Sequence, residues 1–438
     1  MTNHRHIISA PPAYWRSWTR RLSIALLLVL NAGCAPEVIS PQRLGGLERV
    51  GELKEALALF RGLKFTAEVP ILLEKREAIK KVLEAGLFPD YGKQELADIS
   101  LAYAKLGLFP PGTDLRTSLS KFYGDRGLGF YDPRAGRVVL TSERKTRIPS
   151  ENAFDEAVLL HELTHALQDQ NFSMRARLSR SDNDDKDLAL RSIAEGDAVL
   201  TELTYLFRYV QGSSGKIQET IDRNSTQLHS TLSGVPVALV NKLLFLYQRG
   251  PSFVYQVFNE KGWSGVDVLY SSPPVSTEQV LHPAKYLQSP DLPTRVEFKD
   301  LSGLFPSGWD KIQNNTLGEL MVQSLFNGFF SQQEAAAAAS GWDGDRFVAF
   351  RRGGEISFIW ATVWDSSRHA EKFLRNYQAI LSRKYSSDML DTHAYIEHRD
   401  QRVVVVEGLS RAHVKSHIDK VWQEMELREA LPGPAVFR

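Results

Sequence analysis

The chain has 438 residues, with 53 Lys and Arg against 52 Asp and Glu, a formal charge of +1 and a single cysteine. That balance excludes nucleic-acid binding driven by bulk electrostatics, and one cysteine excludes an internal disulfide framework. Without its leader the chain keeps roughly 400 residues, enough for two or three domains with a substantial core.

Residues 1–33 read as an export signal. Arg16, Arg20 and Arg21 precede an apolar run from Leu22 to Leu30 that is too short to span as a mature helix, and Asn31, Ala32 and Gly33 form a small-residue exit. Cys34 follows directly. The arrangement resembles a bacterial lipoprotein signal, in which that cysteine is lipidated and becomes the new N-terminus, although Asn31 stands where such signals usually carry leucine. The resemblance implies a protein of the bacterial cell envelope anchored by lipid on Cys34. The alternative is a plain secretory signal and a secreted or periplasmic chain with a spare thiol. No other stretch is long and apolar enough to cross a bilayer, so membrane contact is expected through the lipid alone.

Residues 35–125 read as a mainly helical region that forms an ancillary layer over the rest of the chain. Leu47 to Phe60 has helical apolar spacing, Phe65 to Leu73 reads as a strand, and Lys75 to Leu87 and Glu95 to Leu106 read as helices before the break at Pro110, Pro111 and Gly112. A β-hairpin is expected over Leu128 to Leu140, turning over Tyr131 to Gly136. An extended substrate can pair its backbone with such a strand if the strand is a sheet edge.

The segment Ala157 to Phe172, AVLLHELTHALQDQNF, carries the chemistry of the chain. On a helix His161 and His165 are i,i+4 neighbours, so both imidazoles leave one face close enough to grip a single ion. Glu162, rotated by about 100° from His161, is free of that ion but near a water it would bind, which suits a general base. The bland alternative is a surface helix; the apolar flanks Val158, Leu159, Leu160, Ala166 and Leu167 argue against it. Asn152 with Asp155 is expected to cap the helix N-terminus.

Catalytic zinc takes three protein ligands plus water, so a third ligand must come from another element. Glu195, in LRSIAEGDA, is the candidate; small residues there would let a second helix pack closely on the first, and Gly196 inside a helix calls for a packing reason. The alternative is an i,i+4 ion pair with Arg191. Asp169, four residues after His165, can reach back to that imidazole as a supporting carboxylate, or stand in solvent; Asp197 points to nearly the opposite face from Glu195. The acidic loop Ser181 to Asp187 suits helix capping and solvation, with calcium binding as the alternative.

HELTH followed by a glutamate in a small-residue helix resembles the gluzincin metallopeptidases, the group that includes thermolysin and the zinc aminopeptidases. The resemblance implies Zn2+ held by His161, His165 and Glu195, with Glu162 as catalytic base. The chain lacks the aminopeptidase G-x-M-E-N segment, and its E-G-D-A differs from thermolysin's N-E-x-x-S-D. The wider pattern, GFYDPRAGRVVL, HELTHALQDQ, AEGDA, PPVSTEQVLHPAKY and GWDGDR, resembles uncharacterised secreted bacterial proteins.

Val237 to Tyr255 reads as core helix broken at Gly250 and Pro251. In the loop Pro273 to Pro283, Ser276 and Gln279 suit a capping box. A peptidase of this type needs an oxyanion donor, and His282 or Tyr286 is the candidate; the alternative for His282 is holding the loop. After Thr316, which with Glu319 suits another capping box, one helix is expected to run past Ala335 to Ala339. The tail then reads β, β, α, β, β, α: strands Arg346 to Phe350, Glu355 to Val363, His393 to His398 and Arg402 to Glu407, with helices Ser367 to Lys384 and Ser410 to Leu427.

The expected fold is therefore α+β: a mainly helical, zinc-metallopeptidase-like catalytic unit with a small sheet over 126–310, and a C-terminal helix plus antiparallel α+β domain over 311–438. The expected function is an exported zinc peptidase acting on a peptide or protein substrate, in which the two imidazoles and Glu195 meet where solvent can reach. The alternative is a non-catalytic envelope lipoprotein whose zinc site is structural or vestigial.

Overall fold

The computed structural model describes residues 37–38, 46–79, 81, 93–124, 129–144, 151–174, 177, 183–206, 217–222 and 235–428. The leader, Cys34 and Asp182 lie outside the described residues. In chain order the elements are β1 (Glu37–Val38), α1 (Gly46–Arg61), β2 (Ile71–Glu74), α2 (Lys93–Leu106), α3 (Leu115–Gly124), β3 (Gly129–Asp132), β4 (Arg137–Thr141) and β5 (Glu143–Arg144). The metal-motif helix α4 (Glu151–Phe172) and the glutamate helix α5 (Asp184–Tyr205) follow. Next come α6 (Val237–Leu244), a π turn at Phe245–Arg249, α7 (Gly250–Ser271), α8 (Thr277–Leu281), α9 (Ala284–Leu287), β6 (Arg295–Phe298) and β7 (Asp310–Asn315). The remainder is α10 (Gly318–Asn327), α11 (Gln332–Ala339), β8 (Trp342–Arg352), β9 (Glu355–Trp364), α12 (Ser367–Lys384), α13 (Ser387–His393), β10 (Ala394–Arg399), β11 (Arg402–Glu407), α14 (Arg411–Glu424) and β12 (Met425–Arg428).

The fold is mixed α+β. Its centre is α5, buried along nearly its whole length, which runs against α4 on one side and α7 on another. A helix buried all round must pair every polar group it carries, and α5 carries Asp185, Asp187, Arg191, Glu195 and Asp197. Gly196 has its packing reason on the α7 side. A Cβ there would meet Gly250 O at 2.6 Å, and one on Gly250 would meet Ser192 O at 2.3 Å, so the two helices touch backbone to backbone. Gly196 thus serves the crossing of α5 with α7. Gly250 and Pro251 do not break the helix as expected: the π turn leads straight into α7, with Pro251 in its first turn.

The hairpin forms as expected, with Phe130 opposite Val139, Gly136 at φ +61 in the turn, and Asp132 Oδ1 accepting the Arg134 and Ala135 amides at 3.1 and 3.3 Å. β2 joins β4 in parallel, giving the order β2-β4-β3 and leaving β3 at the edge among the described residues. The strand expected over Phe65 to Leu73 shrinks to Ile71–Glu74. The backbone at Thr66 and Ala67 bonds instead to the Gln170 side chain of α4.

The C-terminal sheet has the order β10-β11-β9-β8-β7, antiparallel throughout. Its central strands read as continuous apolar runs because both faces are covered. Phe358, Trp360, Val403 and Val405 belong to the main core shared with α5, α7 and α12, whereas Ile359, Ala361, Val404 and Val406 belong to a second core under α14. Three expectations change here. The helix after Thr316 is two helices, because Ser331 with Glu334 makes a complete capping box that restarts it as α11. Thr316 is not the cap of α10; Asp345 takes the Leu317 and Gly318 amides at 2.8 and 2.9 Å. The last helix stops at Glu424, and Met425–Arg428 pairs with β6 as a strand. No helix among the described residues is long and apolar enough to cross a membrane.

Candidate metal centre

α4 begins at Glu151, so Asn152 lies within its first turn, and its side chain is outside the described residues. Its Leu159, Leu160, Leu163, Ala166 and Leu167 share a core with Leu53 and Leu57 of α1 and Val138 and Leu140 of β4, which fixes the rotation of the helix and turns His161 and His165 toward α5. The two rings stand edge to face with centroids 4.9 Å apart. Glu195 Oε2 lies 3.5 Å from His161 Nε2 and 3.5 Å from His165 Nε2, so the glutamate is aimed at the histidines as expected.

These three donor atoms are buried and have no hydrogen-bond partner. Ligands about 2.1 Å from a tetrahedral zinc stand about 3.4 Å from one another, close to the spacing found here. Two imidazoles and one carboxylate are also a donor set zinc accepts, so the residues fit the ion. The electrostatics agree with a site built for positive charge. Burial works against a charged His161, but Glu195 and Glu202 outweigh it and raise the imidazole to about 10. Burial would likewise raise Glu195, yet His165 and His161 hold it down to about 2. Glu162 goes the other way: burial pushes it up to about 7 against the pull of the two histidines.

A second layer orients the imidazoles. His161 Nδ1 lies 3.3 Å from Glu202 Oε2, two turns beyond Glu195 on α5. His165 Nδ1 lies 3.0 Å from Gln168 Oε1. Asp169, the expected supporting carboxylate, does not do this; its Oδ2 accepts the Tyr131 hydroxyl at 3.2 Å and ties α4 to β3. Neither Gln168 nor Glu202 was singled out from the sequence. The i+3 position of Gln168 was a legible signal, but a glutamine has no charge to draw attention, and Glu202 needed the relative rotation of two helices.

His282 and Tyr286, the expected oxyanion donors, are not brought to the cluster. His282 Nε2 pairs with Glu319 Oε1 at 2.9 Å, and the Tyr286 hydroxyl donates to the Ser272 carbonyl. Their segment packs on the first turn of α5, where Asp185 accepts from the Thr277 amide and hydroxyl. Asp185 and Glu195 are ten residues apart on one helix, about 15 Å along its axis. The PPVSTEQVLHPAKY segment is thus a clamp: Lys285 Nζ reaches Glu278 at 2.6 Å, Asp291 at 2.7 Å and, just after β9, Asp365 at 3.0 Å. Those three carboxylates also cluster closely enough for a metal, but the Lys285 ammonium is the cation they surround.

The acidic loop behaves as capping: Asn183 Oδ1 accepts the Lys186 amide, and the Asp184 amide donates to Asn315 Oδ1. In one respect the cluster departs from expectation. His161, Glu162, His165 and Glu195 are 1, 0, 6 and 2 % exposed, so the convergence point is buried and not open to solvent.

Fold and cluster together define an α+β chain with a buried H-E-x-x-H and glutamate group that could hold a metal ion. A family model described as a domain of unknown function, DUF8575, matches residues 305–417, the five-stranded sheet and most of its helices, and leaves the cluster outside the match. No curated protein and no solved structure matches the chain.

Proposed function

We propose that the chain is a zinc-dependent peptidase in which His161, His165 and Glu195 hold the ion and Glu162 is the general base. The observation that carries this is the trio of buried, unpartnered donor atoms spaced as one ligand shell, with a fourth acid beside them. When bound, zinc supplies a Lewis acid and lowers the pKa of water toward about 7. Glu162 then has the property a base needs: burial raises its pKa to about 7, which matches proton transfer near neutrality. The Tyr131 amide of β3 faces the Glu162 carboxylate. Among the described residues β3 is the edge strand beside α4, the position at which an extended peptide would pair its main chain, which favours peptides as the substrate class. The leader and Cys34 extend the proposal to a lipid-anchored protein of the bacterial cell envelope.

The burial of the cluster favours a second reading, a non-catalytic envelope protein with a structural zinc site. Structural zinc takes four protein ligands, and among the described residues the group has three members. Metal analysis combined with peptide-library cleavage separates the two. The peptidase reading expects zinc in both wild type and Glu162→Gln, with cleavage reduced by roughly 10²–10⁴-fold in the variant. Zinc in both with cleavage in neither would establish the scaffold instead.

A further inference from the structure

We infer that Arg61, the last residue of α1, is a positioning residue for His165, acting through Asp197 and Gln168; the inference rests on the zinc reading of the cluster. Gln168 Nε2 donates to the Ala194 carbonyl at 3.0 Å and to Asp197 Oδ2 at 3.1 Å. Both partners only accept, so the amide nitrogen must face them and the amide oxygen must face His165 Nδ1. An amide oxygen only accepts in turn, so Nδ1 carries the hydrogen and Nε2 presents its lone pair to the cluster. Turning the amide over would place N–H groups against Nδ1 and a proton on Nε2, where a ligand lone pair is needed.

Asp197 holds the amide in place, and Arg61 holds Asp197. Arg61 Nη2 donates to Asp197 Oδ2 at 3.0 Å and to Asp267 Oδ1 at 2.9 Å, and Tyr270 adds its hydroxyl to Asp197 at 2.8 Å. The side chains of Arg61 and Asp197 are both 0 % exposed, so the guanidinium is the buried counter-charge that anchors the carboxylate. Arg61 also stacks over Trp263, 4.3 Å from the ring centroid. Its Nε and Nη1 are buried without acceptors, which works against folding. The arrangement is accounted for by what it orients. The N-terminal helical layer therefore contributes to the metal centre: α1 delivers a cation to the Asp197 carboxylate that holds the Gln168 amide against His165.

The test compares zinc affinity, by competition with a chromogenic chelator, and the visible spectrum of the cobalt-loaded protein, across the full chain and its variants. Arg61→Met is expected to weaken zinc binding about 10–100-fold and to alter the cobalt bands, with Arg61→Lys recovering part of the loss. Asp267→Asn, which removes the charge of the other partner of Arg61 and leaves Asp197 paired, is expected to bind zinc within about threefold of wild type. Gln168→Leu keeps side-chain bulk, removes the amide and is expected to match Arg61→Met; it decides the matter if Arg61→Met fails to fold. Wild-type affinity and cobalt spectrum in Arg61→Met, or in Gln168→Leu where Arg61→Met does not fold, would overturn the inference and leave the zinc reading standing. A wild-type chain that binds no zinc would overturn that reading and the inference with it.

Discussion

Gly196→Ala tests whether the placement of Glu195 depends on backbone contact between α5 and α7. An alanine Cβ would stand 2.6 Å from the Gly250 carbonyl oxygen, 2.7 Å from its carbon and 2.8 Å from Val254 Cγ2, and two of those atoms are backbone that no rotamer change can move. Overpacking of a tight core costs about 1–3 kcal/mol, and contacts this short belong at the upper end. Against it, replacing glycine inside a helix contributes about 1 kcal/mol of helix stability. The net expectation is a loss of about 2 kcal/mol, read as a lower urea midpoint with an unchanged slope. Gly250→Ala, which meets Ser192 O at 2.3 Å across the same seam, should lose stability similarly, and the double variant should cost less than the two together because one shift of α7 relieves both. Since residues 195 and 197 flank the seam, Gly196→Ala should also weaken zinc binding. A Gly196→Ala protein as stable as wild type, or more so, would refute the packing argument and leave helix propensity as the only effect.

Zinc affinity should rise with pH through neutrality, because burial is outweighed by Glu195 and Glu202 at His161, and by Glu195 at His165, so that both imidazoles hold protons the ion must displace; titration at pH 6 and 8 checks it. Asp185 is pushed up to about 8 by burial, against the opposing bonds from Thr277. Its folded pKa therefore exceeds the unfolded value, so the stability it contributes is present below about pH 4 and is lost as pH rises toward about 8. The urea midpoint of the wild type should fall over that window more steeply than that of Asp185→Asn. His282→Ala should lower stability by roughly 1–3 kcal/mol by leaving buried Glu319 without its partner, while kcat on any peptide substrate stays within about twofold of wild type. A large fall in kcat at unchanged stability would return His282 to the chemistry.

Much of the site was legible because it depends on local pitch. His161 and His165 share a face by helical geometry alone, and Glu195 stood out as a charged residue among small ones. The C-terminal strands were legible for a related reason: alternation of period two marks a strand, and the apolar runs of Phe358 to Val363 and Val403 to Val406 fit a sheet covered on both faces. The oxyanion expectation failed for a physical reason. His282, Tyr286 and Lys285 are residue types that serve chemistry or anchoring equally well, and only their neighbours, Glu319, Ser272 and Asp365, show that they anchor.

What the sequence determined by itself was what neighbours in the chain impose on one another: the two imidazoles on one face, the acid between them, the hairpin turning before Arg137 and the ββαββα succession of the tail, to which the structure adds α13 and β12. Tertiary structure alone decided whether Gln168 or Asp169 supports His165, because those side chains are one position apart on α4 and the choice falls to the acceptors that α5 and β3 set opposite them. It also decided that Arg61 ends beside Asp197, that Met425 to Arg428 leave their helix for the edge of β6, and that the cluster is closed to solvent. Each of these depends on contacts between segments distant in sequence, and helical or strand periodicity carries no information about which distant partner a side chain will meet.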